Sequence, residues 1–121
     1  MATYPNRLDL TFQALSDPTR RAIVARLCTG PASVSDLSRP FSMALPTLLR
    51  HIGVLETSGL IGTRKIGRVR RCAIQPAALD ETKAWLEEQR AVWEARLDRL
   101  DAYVQTLHKK ESEHAQQKRK K

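Results

Sequence analysis

FSMALPTLLRHIGVLETSGLIGTRKIGRVRRCAI, residues 41–74, is the stretch whose pattern decides the fold. Leu48, Ile52 and Leu55 recur at i, i+4 and i+7, which predicts a helix over 45–58 with one apolar face. Pro46 suits its first turn, where a missing N–H loses no hydrogen bond. Gly59 stands where a left-handed residue would end it. Two short β-rich runs follow, 61–66 and 69–74, around a turn at Gly67. Arg64, Lys65, Arg68, Arg70 and Arg71 decorate this hairpin, and no acidic residue falls between Glu56 and Asp80. An outward Arg50 beside a basic hairpin suits duplex nucleic acid, with the helix in the major groove and the hairpin along phosphates.

Working outward toward the N-terminus, residues 1–6 read as a disordered end. Leu8, Phe12 and Leu15 mark a short amphipathic helix over about 7–15. Asp17-Pro18 is a cap followed by a first-turn proline, opening a second helix that is expected to bury Ala22, Ile23 and Leu27. Arg20, Arg21 and Arg26 read as its solvated side. Ser33 and Asp36 fit a capping box that opens a third helix ending before Pro40. Two helices across so tight a turn make a helix-turn-helix, and the hairpin makes it winged. The fold class is therefore all-α with a small β-hairpin, and residues 7–75 form the DNA-binding domain.

Beyond Pro76 a long helix is expected to reach about residue 108. Leu86, Trp93, Leu100 and Leu107 recur every seven residues, with Leu97 and Val104 between them and Arg90 interrupting the seam. So long an apolar seam exceeds what a small domain can cover, so 76–108 reads as a dimerisation helix. Residues 109–121, with six Lys or Arg against two Glu, read as a disordered basic tail.

At 121 residues the chain is one domain's length, and its net charge of +8 is concentrated in the hairpin and the tail. That favours a polyanion. No apolar run is long enough to span a membrane, and no helix pairs a wide apolar face with a cationic one, so the expected location is cytoplasmic. Cys28 and Cys72 are too few for a disulfide scaffold and read as small buried hydrophobes. Gly62 and Gly67 have phosphate-loop spacing, but Arg68-Val69 follows where Lys and Ser/Thr are required. Asp80, Glu81, Glu87 and Glu88 include no pair with a base or nucleophile beside it, so no enzyme is expected.

LSDPTRRAIVARL (15–27), LLRHIGVLETSGLI (48–61) and GRVRRCAI (67–74) together resemble the ArsR/SmtB family of bacterial winged-helix repressors, over residues 8–107. The ending AWLEEQRAVWEARLDRLDAYV (84–104) looks like the branch often encoded beside START-like (SRPBCC) proteins. The resemblance implies a homodimer built on the first and last helices that represses transcription from a palindromic operator. It puts Leu8 and Phe12 in the interface with Leu86, Trp93, Leu97, Leu100, Val104 and Leu107. The DNA-binding candidates are Pro46, Thr47, Leu49, Arg50, His51 and Gly53 on the helix, with Arg64, Lys65, Arg68 and Arg70 on the hairpin. His51 flanks the buried face, where it either packs or reaches DNA.

The departures bear on function. Where the family often has Ser, Gln and Ser, this chain has Ala44, Leu45 and Leu49, so base-reading groups are lost; Leu49 could meet a thymine methyl instead. Metal-sensing relatives carry Cys-x-Cys on the third helix, whereas 35–42 holds no Cys, His or Glu, and His108 and His114 lie six apart near the far end of the last helix. No metal, cofactor or identified effector is expected. Two alternatives stand beside the repressor: a protein-interaction module with only nonspecific DNA affinity, and a thiol-based redox-sensing repressor using Cys28 and Cys72.

Overall fold

A computed structural model describes residues 6–119, and the described chain divides after Lys83 into two units. The first unit holds α1 (Arg7–Leu15), α2 (Pro18–Leu27), β1 (Ala32–Ser33), α3 (Val34–Ser38), α4 (Leu45–Ser58), β2 (Ile61–Ile66) and β3 (Val69–Ile74). It also holds the opening of α5 (Pro76–Arg119), which continues through the second unit. The strands form an antiparallel sheet in the order β1-β3-β2. This is a winged helix-turn-helix. The sequence predicts only the hairpin. Two-residue β1 was invisible to pattern reading because it is too short to show an alternation, and it joins the sheet by pairing Ala32 with Cys72 and Ser33 with Arg71.

Periodicity locates the core. Leu48, Ile52 and Leu55 of α4 are at most 1% exposed, and they pack with Ile23, Leu37, Leu60, Ile61 and Cys72. Each such aliphatic side chain contributes about 1.5–3 kcal/mol by leaving water. In α2 the buried face is Ile23, Val24 and Leu27; Ala22, expected inside, lies exposed. Spacing of i, i+1 and i+4 makes a single stripe on a helix, and Ala22 falls a further 100° around it. In α1 the fully buried positions are Thr11 and Ala14, while Leu8 and Leu15 are half-buried and Phe12 is 42% exposed. Thr11 is tolerated inside because its hydroxyl donates to the Arg7 carbonyl at 2.9 Å.

Arg21 and Arg26 lie exposed, as expected of the solvated side of α2, whereas Arg20 is half-buried. Arg20 Nε donates to the Ala14 carbonyl at 2.7 Å and Nη2 to the Gln13 carbonyl at 3.1 Å, and Arg21 Nη1 donates to the Leu15 carbonyl at 2.8 Å. These are the last carbonyls of α1, which lack intrahelical partners, and cationic donors at that end also oppose the helix dipole. Arg26 similarly donates to the Gly30 carbonyl at 3.1 Å beyond α2.

Asp17 caps α2 by accepting the Arg20 backbone N–H at 3.0 Å. That bond first, then the nearby His51 and Arg20, hold its carboxyl below the usual range against the opposing effect of desolvation. A carboxyl with a lowered folded-state pKa stabilises the fold above the usual carboxylate range and loses that contribution as pH falls through its folded value. Asp17→Asn should therefore melt below the parent at pH 7. Thermal melts should show the gap closing as pH drops below about 4.

At the N-terminus, Asn6 caps α1 by accepting from the Asp9 N–H; the rest of the expected disordered segment, residues 1–5, lies outside the described residues. At the other end, the tail expected to be disordered from 109 is helical through Arg119, with 120 and 121 outside the described residues. Lys, Glu, Ala, Gln and Arg dominate 109–119, and all are good helix formers. Extending an existing helix gains one bond per residue without a new nucleus, so the absent apolar period does not stop it.

Candidate nucleic-acid interface

Helix α4 is set by its two ends. Ala44 precedes it in an extended conformation with no side-chain cap, and Pro46 occupies the first turn. Gly59 ends it at φ 84°, its N–H reaching the Glu56 and Leu55 carbonyls. That left-handed conformation calls for glycine, since a Cβ there would be strained. Leu60 N–H returns to the Leu55 carbonyl at 3.2 Å, turning the chain straight into β2.

The hairpin pairs Ile61 with Ile74, Thr63 with Cys72, Arg64 with Arg71, Lys65 with Arg70 and Ile66 with Val69 around a turn in which Gly67 has φ 62°. Side chains alternate, so Thr63, Lys65, Arg70 and Cys72 share one face and Arg64 and Arg71 the other. On the first face Thr63 Oγ1 donates to Glu56 Oε2 at 2.9 Å and Arg70 Nη2 donates to Glu56 Oε1 at 2.9 Å. Glu56 thus ties the wing to α4, and part of the Arg70 charge is neutralised within the fold. Like charges directly across a ladder destabilise it. Among the described residues, Arg64, Lys65, Arg68 and Arg71 have no ion pair to relieve that cost.

The helix candidates spread over three places. Leu45, 55% exposed, and half-buried Leu49 line a groove with Ser35, Arg39, Arg68 and Arg70. Arg50 and Gly53 line a second groove on the flank toward Leu10 and Gln13 of α1. Pro46 is exposed and Thr47 half-buried at the start of the helix. His51 turns inward: its ring is 17% exposed, with Nδ1 3.2 Å from Arg20 Nη1 and 3.9 Å from Asp17 Oδ2. Sequence reasoning missed Arg39, whose guanidinium is 79% exposed beside Asp36. Its position at the end of α3 gives no periodic signal.

The cysteines differ. Cys28 is exposed beyond α2, against the expectation that it is buried, whereas Cys72 is fully buried. Burial chiefly pushes the Cys72 thiol up, with Glu56 adding to the rise and Arg70 opposing it. A protonated, buried thiol is a poor nucleophile, which weighs against a Cys28–Cys72 switch. Among the described residues no group of three or more His, Cys, Asp or Glu is placed to hold a metal ion. No described helix is long and apolar enough to cross a membrane.

In the second unit, α5 exposes an apolar stripe. Leu86, Trp93, Leu97, Leu100, Val104 and Leu107 are 41–58% exposed. Arg90, the break in the series, pairs with Glu94 one turn on, at 2.9 Å.

Comparison with known proteins agrees with the winged helix-turn-helix fold. Residues 15–64 match the family model described as a helix-turn-helix domain. An HTH-type transcriptional regulator of Mycobacterium tuberculosis is 40% identical over 79 residues, covering 65% of this chain and 73% of that protein. The transcriptional repressor SdpR of Bacillus subtilis is 27% identical over 75 residues, covering 62% and 83%. A crystal structure described as an ArsR family transcriptional regulator is 55% identical, with a TM-score of 0.71, covering 78% of this chain and 97% of that one.

Proposed function

This chain belongs to the ArsR family of transcriptional regulators, and from that premise we propose that it is a homodimeric, cytoplasmic repressor acting on a palindromic operator without a metal site. One observation carries the reading. Helix α4 and the wing are fastened together through Glu56, and the wing presents Arg64, Lys65, Arg68 and Arg71 without ion pairs among the described residues. Cations kept beside one another at a cost in sheet stability are accounted for by a partner that supplies phosphates.

In this reading the start of α4, from Pro46 through Arg50 and Gly53, enters the major groove. Leu45 and Leu49 meet apolar base edges there, thymine methyls above all. Arg64, Lys65 and Arg68 follow the backbone, with Arg70 a weaker contributor because Glu56 holds it. The dimer is formed by Leu8 and Phe12 of α1 with the stripe from Leu86 to Leu107. It should space the two reading helices about 34–36 Å apart, one turn of duplex. The same reading puts the chain in the branch encoded beside START-like proteins, with no enzymatic activity of its own.

The test is a fluorescence-anisotropy titration against the gene's own upstream duplex and a scrambled one, across salt. A preference of about a thousandfold supports the repressor. Equal affinity for both duplexes favours instead a winged-helix protein-interaction module, to which exposed Leu45 would then belong. With a preference in hand, Arg68→Ala should weaken both duplexes alike and flatten the log–log salt slope by about 0.9 per phosphate lost. Arg50→Ala should cost more on the upstream duplex than on the scrambled one.

A further inference from the structure

The inward turn of His51 assigns it a role other than base contact. Arg20 spends three nitrogens on two different elements. Nε and Nη2 hold the Ala14 and Gln13 carbonyls at the end of α1, and Nη1 lies 3.2 Å from His51 Nδ1 in the middle of α4. A guanidinium has five N–H donors and no acceptor, so in this contact Arg20 donates and His51 Nδ1 accepts. Asp17, which caps α2 and lies 3.9 Å from the same Nδ1, closes the cluster. One planar fork therefore joins the α1–α2 joint to the helix that carries the DNA-facing residues. Its rigidity makes the angle between them specific in a way that apolar packing alone does not.

We propose that His51 is a positioning residue: by accepting Arg20 at Nδ1 it sets the rotation of α4 about its axis, and hence where Arg50 and Leu49 meet the duplex. The proposal rests on the DNA-reading function above. Rotation matters because the aliphatic face of α4, Leu48, Ile52 and Leu55, is held by non-directional contacts, whereas the Arg20–His51 bond is directional. Arg50 and Leu49 stand about 100° apart on α4 and border different grooves, so a roll of the helix changes which of them faces the duplex.

Two substitutions separate positioning from contact. In His51→Asn the amide oxygen falls near the place of Nδ1 and can accept from Arg20, whereas in His51→Gln it falls near the place of Nε2. Anisotropy titrations of the full chain should find His51→Asn within about threefold of the parent on the upstream duplex. His51→Gln should be weaker by about tenfold or more on that duplex, and little changed on scrambled DNA. The reverse order would make Nε2 a DNA contact and overturn the proposal, as would equal effects from both.

A second measurement needs no DNA. Urea unfolding of Arg20→Gln, His51→Ala and the double variant should give a double loss smaller than the sum of the singles. Additive losses would show that no such bond acts in solution. If the parent itself does not prefer the upstream duplex, the operator reading fails, and the unfolding cycle still decides whether the Arg20–His51 bond exists.

Discussion

Aspartate at both Leu97 and Leu100 should convert the protein to a monomer in sedimentation equilibrium and lower its affinity for the upstream duplex by about a hundredfold or more. The two leucines are 43% and 58% exposed on α5, so neither substitution removes a contact that the first unit needs to fold. Burying such side chains in a partner is worth about 1.5–3 kcal/mol each, and a carboxylate forced into an apolar seam costs more than the contact it replaces. The affinity falls because each monomer then meets one half-site, losing the tethered second event that multiplies the first. Circular dichroism should show the helical content retained. A variant that remains dimeric would place the interface elsewhere. Arg90 supplies an internal control. It occupies a seam position yet pairs with Glu94 on its own helix, so Arg90→Leu should strengthen the dimer where Leu97→Asp weakens it.

The second large effect lies beneath the reading helix. Ile52→Ala should destabilise the fold by about 2–5 kcal/mol, a substantial part of the roughly 5–15 kcal/mol a domain has. Ile52 is 0% exposed between Leu48 and Leu55, so its removal leaves a cavity that a packed core closes only in part. In a unit of this size that corresponds to a fall in melting temperature of about 10 °C or more, measurable by calorimetry. Thr57→Ala, on the exposed side of the same helix, should change stability by less than about 0.5 kcal/mol. If the two variants melt alike, the assignment of the buried face is wrong.

What could be read from the sequence was what depends on near neighbours. The face of α4 follows from three apolar residues at helical spacing, and its limits from Pro46 and Gly59. The hairpin follows from two β-rich runs about a glycine that adopts φ 62°. What could not be read depends on residues that meet only in the folded chain. Arg20 reads as part of a solvated face because nothing local marks a side chain that folds back six or seven residues to cap the preceding helix. Glu56 read only as the last acid before a basic stretch, although it fastens the wing seven and fourteen residues later. His51 reads in the sequence as either a packed or a DNA-facing residue, because Arg20, which it meets in the fold, lies 31 residues away. Helix α5 outran its expected end because apolar periodicity reports burial, and an exposed helix of lysine, glutamate, alanine and glutamine needs none.

The order of strands has a consequence for solubility. With β3 in the middle, β2 runs along the rim of the sheet and offers a row of unbonded backbone groups to any passing strand. Ile66 and Val69 at the hairpin tip are more than half exposed, which makes that rim attractive to another copy of the chain. Arg64 and Lys65 stand on the same strand, and a second wing approaching edge to edge would bring like charges together. The charges proposed to hold phosphate would also keep the wings of free molecules apart. Neutralising them should therefore leave a protein that both releases DNA and aggregates as its concentration rises.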